Sequence, residues 1–159
     1  MAAYRYDFPV SVLIQRLKYA AELAVAPWLA DRLLETVGQD RLPDMIVPMP
    51  LHEDRLKERG FNQAALIGER LAAKLRLPID YAACLRVKAT RPQVELPIKE
   101  RRGNLRGAFV CERDLTGRHV ALVDDVMTSG ASLEELARVV RKAGASHVSA
   151  WVVARAVKG

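Results

Sequence analysis

The chain has 159 residues, with 25 Lys+Arg against 19 Asp+Glu, 50% hydrophobic and 6% aromatic residues, and a formal net charge of +6. That length suits one domain, and an apolar half of ordinary total charge excludes a disordered chain. The excess charge is local: between 86 and 118 stand Arg86, Lys88, Arg91, Lys99, Arg101, Arg102, Arg106, Arg113 and Arg118 against Glu95, Glu100, Glu112 and Asp114. Such a segment attracts phosphate, on a small molecule or along a nucleic acid, or is simply a solvated charged surface.

Taken in chain order, Val12, Leu13, Ile14, Leu17 and Ala21 follow Pro9 at helical spacing, and Trp28, Leu29, Leu33, Leu34 and Val37 follow Pro27. Two amphipathic helices, broken near Pro27 and ended near Gly38, are expected. Residues 42–50 set Met45, Ile46 and Val47 among three prolines, which predicts a buried strand entering a rigid loop. Phe61, Ala64, Ala65, Gly68, Leu71, Ala72 and Leu75 mark a helix ending before Pro78, and residues 77–85 read as a strand. Residues 86–107 show no periodicity, and a stretch of that kind inside a compact domain is usually functional or mobile.

The last third is the most regular. Val120, Ala121, Leu122 and Val123 predict a strand buried on both faces, followed by Asp124 and Asp125. Leu133, Leu136, Ala137, Val140 and Ala143 predict a helix, with Ser132 and Glu135 at capping-box spacing and Gly144 as its stop. Residues 147–154 form a second apolar strand, completing a βαβ unit whose loop lies at the carboxyl end of the sheet. Trp28, Trp151, Phe61 and Phe109 are expected in the core.

Thr128, Ser129, Gly130, Ala131 and Ser132 would present free N–H groups and hydroxyls at the positive end of that helix, a phosphate cradle or an ordinary capped turn. Two carboxylates at the end of a buried strand favour the first reading, because charge there needs compensation. They suit vicinal hydroxyls, or a divalent cation held through its waters. His119 and His147 read as strand or surface residues, while His52 is as open to a ligand role as to a surface one. Cys84 and Cys111 lie in no metal-ligand spacing; one disulfide could form in principle, but without a signal sequence they read as small, reduced hydrophobes. There is no G-x-x-x-x-G-K-[ST] or G-x-G-x-x-G motif, no apolar run near the ~18 residues of a membrane span, and no signal-peptide pattern in residues 1–19. A cytoplasmic location is expected.

The run Val120, Ala121, Leu122, Val123, Asp124, Asp125, Val126, Met127, Thr128, Ser129, Gly130, Ala131, Ser132 resembles the phosphoribosyl-pyrophosphate (PRPP) signature of type I phosphoribosyltransferases at every position. Tyr4-Arg-Tyr, Leu17-Lys18-Tyr19, Val47-Pro-Met-Pro50-Leu-His, Arg59-Gly-Phe-Asn-Gln63, Pro92-Gln93 and Gly107-Ala-Phe109 extend the resemblance to the ComF/GntX family over nearly the whole chain. The resemblance implies an α/β type I phosphoribosyltransferase fold, a mainly parallel twisted sheet flanked by helices. It also implies a single domain in which residues 1–44 form a small helical hood and 45–159 the core. Members commonly begin with a cysteine-rich zinc segment, which this sequence does not show.

The same resemblance implies the site. Asp124 and Asp125 would meet the ribose hydroxyls as the catalytic pair, and Asp124, Asp125, Val126, Met127, Thr128, Ser129, Gly130, Ala131 and Ser132 would bind PRPP, with Thr128 to Ser132 holding its 5′-phosphate. A pyrophosphate loop at 48–62 would use Pro48, Met49, Arg55 and Arg59, with Lys57 a weaker choice. A flexible loop at 88–105 would bring Lys88, Arg101 and Arg102 over the reacting centre. The implied reaction moves phosphoribosyl from PRPP to an unidentified acceptor, with Mg2+ arriving on PRPP and no direct protein ligation of metal. The alternative is a non-catalytic PRPP- or nucleotide-binding accessory protein in DNA uptake. Single-stranded DNA, the competence machinery and a second copy of the chain are the candidate macromolecular partners.

Overall fold

The structure, a computed structural model, describes residues 1–38, 42–89 and 105–156. Its centre is a parallel sheet of β1 (Ala2–Arg5), β6 (His147–Arg155), β5 (His119–Met127) and β2 (Met45–Pro48), in that spatial order. Ile79 extends the β2 edge through one parallel bridge to Ile46. A separate antiparallel ribbon pairs β3 (Cys84–Arg86) with β4 (Phe109–Cys111).

The period of two along β5 sorts its residues to the two faces. Ala121 and Val123 join Trp151 and Val153 under three helices: α1 (Val10–Ala20), α2 (Val25–Leu34) and α4 (Gln63–Leu75). Val120, Leu122 and Val152 face α5 (Ala131–Lys142) and the β3–β4 ribbon. The short α3 (Glu53–Arg59) stands at the carboxyl end of β2. Ile14, Leu17, Leu29 and Leu33 are fully buried. Each contributes roughly 1.5–3 kcal/mol, so α1 and α2 are fixed to the sheet. Arg70 of α4 clasps Asp31 of α2 through two hydrogen bonds of 2.9 and 3.0 Å.

Several local expectations are corrected. The first two helices are separated at 21–24, and Pro27 lies in the first turn of α2, where its missing N–H costs nothing. Trp28 is 45% exposed, because α2 turns Ala26, Leu29, Ala30 and Leu33 inward and leaves Trp28 off that stripe. Residues 77–85 are no single strand: Ile79 makes one bridge and β3 starts at Cys84. Residues 2–5 pair with β6 although four residues ending in a charge give little periodic signal. Trp151 and Phe109 are buried as expected, and Gly144, at φ +101, follows the end of α5. Among the described residues, no helix is long and apolar enough to cross a membrane.

The topology creates one crevice. From β5 the chain crosses by α5 towards β6, whereas from β2 it passes by α4 on the opposite face towards Ile79, so the winding reverses between β2 and β5. In open α/β sheets such a reversal leaves a gap at the carboxyl ends of the strands, where ligands bind.

Candidate functional site at the carboxyl ends of β2 and β5

β5 continues through Met127, so Asp124 and Asp125 are strand residues rather than the start of a loop. Alternation therefore sends them to opposite faces. Asp125 follows Val123 towards α1 and is 2% exposed, and its Oδ2 meets Lys18 Nζ at 2.7 Å. Asp124 lies on the α5 side and is half-buried. It stays tied to its neighbour, whose N–H donates to Asp124 Oδ1 at 2.9 Å.

Electrostatics separates the two acids. Burial, reinforced by the Asp125 charge, pushes the Asp124 carboxyl well above its ordinary range, against the pull of Lys18. Burial would lower the Lys18 ammonium, but the Asp125 carboxylate opposes it by charge and hydrogen bond, and the net shift is upward. Arg86, at the end of β3, is lowered by burial and by Arg55, while Asp124 pulls the other way. Asp124 thus lies within the electrostatic reach of two cations, Lys18 across the sheet and Arg86 on its own side. Neither appears among the site residues read from the sequence. Lys18 lay inside the quoted Leu17-Lys18-Tyr19 pattern, but only the pairing of α1 with β5 shows what it does.

After β5 the chain turns tightly. Gly130 takes φ +78 and caps α5 with no side-chain hydrogen bond, so the expected Ser132–Glu135 capping box is not formed. The helix begins at Ala131, which places Ser132 inside its first turn. Glu135 instead accepts from the Gly107 N–H at 2.8 Å and is held by Arg138 at 2.8 and 2.9 Å. The Arg138 hydrogen bond leads in holding the Glu135 carboxyl down at about 2. Thr128 and Ser129 are exposed, and Ser129 Oγ accepts from the Ala131 N–H at 3.4 Å. Asp124, Met127, Thr128, Gly130 and Ser132 line one small pocket, so an acid and the turn open into the same space.

The β2 side closes the crevice. Pro48 ends β2, and the buried Met49 donates its N–H to Val123 O at 2.8 Å. Asn62 Nδ2 donates to Met49 O at 3.0 Å, while its Oδ1 caps α4 through the Ala64 and Ala65 N–H groups. Residues 53–59 form the helix α3 rather than an irregular loop. His52 is its cap, its Nδ1 accepting from the Asp54 N–H at 3.3 Å. Arg55 pairs with Glu58 at 2.9 Å and Lys57 with Glu53 at 2.7 Å, both exposed. Arg59 turns inward, donating to Gln63 Oε1 at 2.6 Å and standing 5.9 Å above the Tyr19 ring.

Of the expected loop residues, Lys88 is exposed and donates to Arg106 O at 2.9 Å. Arg101 and Arg102 lie outside the described residues. Val126 packs partly into the α4-side core, and Ala131 is buried at the start of α5. His119 and His147 stack edge-to-face, 4.5 Å apart, at the amino ends of β5 and β6, far from the crevice. Among the described residues, no group of three or more His, Cys, Asp or Glu could cage a metal ion.

Comparison with known proteins agrees with this architecture. The phosphoribosyl transferase domain matches residues 62–159. Competence protein F of Haemophilus influenzae is 39% identical over 160 residues, spanning 95% of this chain and 70% of that protein. DNA utilization protein YhgH of Escherichia coli is 37% identical over 156 residues, spanning 94% and 69%. Competence protein ComFC of Bacillus subtilis is 26% identical over 97% of this chain and 63% of its own length. Among solved structures, the glutamine PRPP amidotransferase from B. subtilis aligns at TM-score 0.55 and 16% identity, over 80% of this chain and 25% of that one. Leishmania donovani UMP synthase aligns at 0.50 and 20%, over 88% and 24%. The structural likenesses speak for the fold alone, an α/β phosphoribosyltransferase fold. With the domain match and the competence and DNA-utilization relatives together, the chain belongs to the ComF family of phosphoribosyl transferase domain proteins.

Proposed function

We propose that the crevice binds PRPP and that the protein transfers its phosphoribosyl group to a small-molecule acceptor, releasing pyrophosphate. One observation carries this reading: the Asp124 carboxylate and the turn at 128–130, at the amino end of α5, open into one pocket where the sheet winding reverses. An acid for ribose hydroxyls beside N–H groups for a phosphate matches the two ends of a ribose 5-phosphate. Asp124 is the hydroxyl-binding acid in this reading, and Asp125, sealed under Lys18, holds it in place. The turn at 128–132 takes the 5′-phosphate, and Arg59 faces the pyrophosphate.

The residues present fit Mg2+ carried by the ligand. Hard divalent cations keep several waters and use one or two carboxylates plus phosphate oxygens, and Asp124 supplies one such carboxylate without an all-protein cage. When bound, the ion would offset charge on the leaving pyrophosphate. The chain's own cations serve the same end: Arg59, and Arg86 within the electrostatic reach of Asp124, favour a state in which negative charge grows on the pyrophosphate oxygens. No covalent nucleophile is required for such a transfer. A cytoplasmic setting, where PRPP would be supplied, is part of this proposal.

Titration calorimetry with PRPP and Mg2+, followed by pyrophosphate release across a panel of nucleobases and related amines, tests it. Asp124→Asn is expected to weaken PRPP binding by about 1.5–3 kcal/mol, the worth of a hydrogen bond to a charged group. Unchanged affinity would remove the site assignment. The names of the relatives support a second reading, a PRPP-binding accessory protein in DNA uptake. Tight PRPP binding with no turnover on any acceptor would favour it, and DNA binding that weakens steeply with salt would add nucleic acid as a partner.

A further inference from the structure

Cys84 and Cys111 lie directly opposite each other in the β3–β4 ribbon. Their pair type follows from the hydrogen bonds around it. The Glu112 N–H donates to Ala83 O at 3.1 Å and the Val87 N–H to Ala108 O at 2.8 Å. Bonds at 83/112 and 87/108 make the intervening even pairs, 84/111 and 86/109, non-hydrogen-bonded pairs. In those pairs the Cα atoms approach to ~4.5 Å and both side chains rise on the same face. That spacing falls within the ~4.4–6.8 Å range that a disulfide spans, near its short end. Both thiols are free.

We propose that Cys84 and Cys111 form a reversible disulfide by exchange with a low-molecular-weight disulfide of the glutathione type, stapling together the strands that lead into and out of residues 87–108. Exposure orders the steps. Cys84 is 1% exposed and burial pushes its thiol up, whereas Cys111 is half-buried and hydrogen-bonds the Arg113 carbonyl at 3.7 Å. Cys111 therefore reacts first: its thiol gives a proton to solvent, and its thiolate attacks one sulfur of the small disulfide. The small S–S bond breaks, one small thiolate leaves and takes up a proton, and Cys111 carries a mixed disulfide. Cys84 then loses its proton to solvent and attacks the Cys111 sulfur. The second small thiolate leaves and is protonated. Two protein thiols are oxidised by two electrons, and one small disulfide is reduced to two thiols.

The bond would lie on the face of the ribbon that also carries the next non-hydrogen-bonded pair, where the Arg86 guanidinium stands 5.6 Å from the centre of the Phe109 ring. Arg86 lies within the electrostatic reach of Asp124, so the staple would fix the strand that carries it.

The test uses the full chain under native conditions, reduced and then equilibrated at graded ratios of oxidised to reduced glutathione. Acid quenching, alkylation and intact mass then count the thiols. The expected result is joint loss of both thiols in the monomer with no glutathione retained, reversed by dithiothreitol. The oxidised chain should unfold at higher urea, and the gain should vanish on reduction. Cys84→Ala should stop at a persistent glutathione adduct on Cys111, while Cys111→Ala should leave Cys84 unreacted. A stable adduct on Cys111 beside a free Cys84 in the unsubstituted chain, an intermolecular disulfide, or two thiols that react only in urea would each overturn the assignment.

Discussion

Asp124 and Asp125 are adjacent in sequence and differ in almost everything that decides their behaviour. On the α4 side, Asp125 sits on a dry face covered by α1, α2 and α4, with an ammonium 2.7 Å away. On the α5 side, Asp124 opens into a pocket at the turn after β5, half-buried and within the electrostatic reach of Arg86. One acid is fixed in place, and the other is available to a ligand. The difference comes from the two-residue period of a strand, and it shows that a pair of identical residues in a motif need not share a role.

Removing the cation on the sealed side tests the contrast most severely. Lys18→Met leaves a buried carboxylate without its partner, for which breaking a buried pair predicts a loss of about 3–5 kcal/mol in urea unfolding. Adding Asp125→Asn to that variant should recover most of the loss. A cost below ~1 kcal/mol for Lys18→Met would mean that Asp125 is solvated and that the two faces are alike.

The turn on the open side provides the next effect. Gly130 sits at φ +78, and a side chain there costs roughly 1–2 kcal/mol. Gly130→Ala should lower stability by that amount and weaken PRPP binding more than Asp125→Asn in the same assay. Equal stability and affinity would show that the turn does not need its left-handed residue.

Asp124→Asn should move stability in the opposite direction from Lys18→Met. The folded state raises the Asp124 carboxyl, so its contribution is full below the unfolded value near 3.8 and is lost as the pH rises through the folded value. At neutral pH the acid is therefore a cost retained at the site, and Asn should raise the unfolding midpoint while PRPP affinity falls. A lower midpoint would mean that Asp124 is stabilised as an anion by its surroundings.

Glu135 supplies the smallest effect and the reverse sign. Its carboxyl is held at about 2 against an ordinary 4.5, so its contribution is present above about 4.5 and disappears as the pH falls towards 2. Glu135→Gln should lower stability across the neutral region, leave it unchanged near pH 2, and so flatten the profile over that acid window. An unaltered acid profile would show that the contacts with Gly107 and Arg138 do not fix its charge.

Legibility along the chain followed the range of the forces involved. Residues 120–132 could be read because strand, turn and helix there are local, and their apolar spacing is regular. β2 and α4 were legible for the same reason. The brief strands β1, β3 and β4 were not, because three or four residues carry too little pattern and owe their form to a neighbouring strand. The proposed capping box at Ser132 and Glu135 failed because a left-handed Gly130 starts α5 earlier, and Glu135 serves Gly107 across 28 positions instead. Lys18 lies outside the span matched by the phosphoribosyl transferase domain, and the Leu17-Lys18-Tyr19 pattern that contains it does not show that it pairs with Asp125.

By itself the sequence determined the fold class and the βαβ unit with its turn at the carboxyl end of β5, since periodicity, glycine placement and motif spacing are properties of neighbours along the chain. Tertiary structure alone decided which aspartate is open, which lysine seals the other and that two cysteines 27 positions apart stand opposite each other. Those outcomes depend on strand alternation, register and helix packing, which join residues distant in the chain and leave no trace in local spacing.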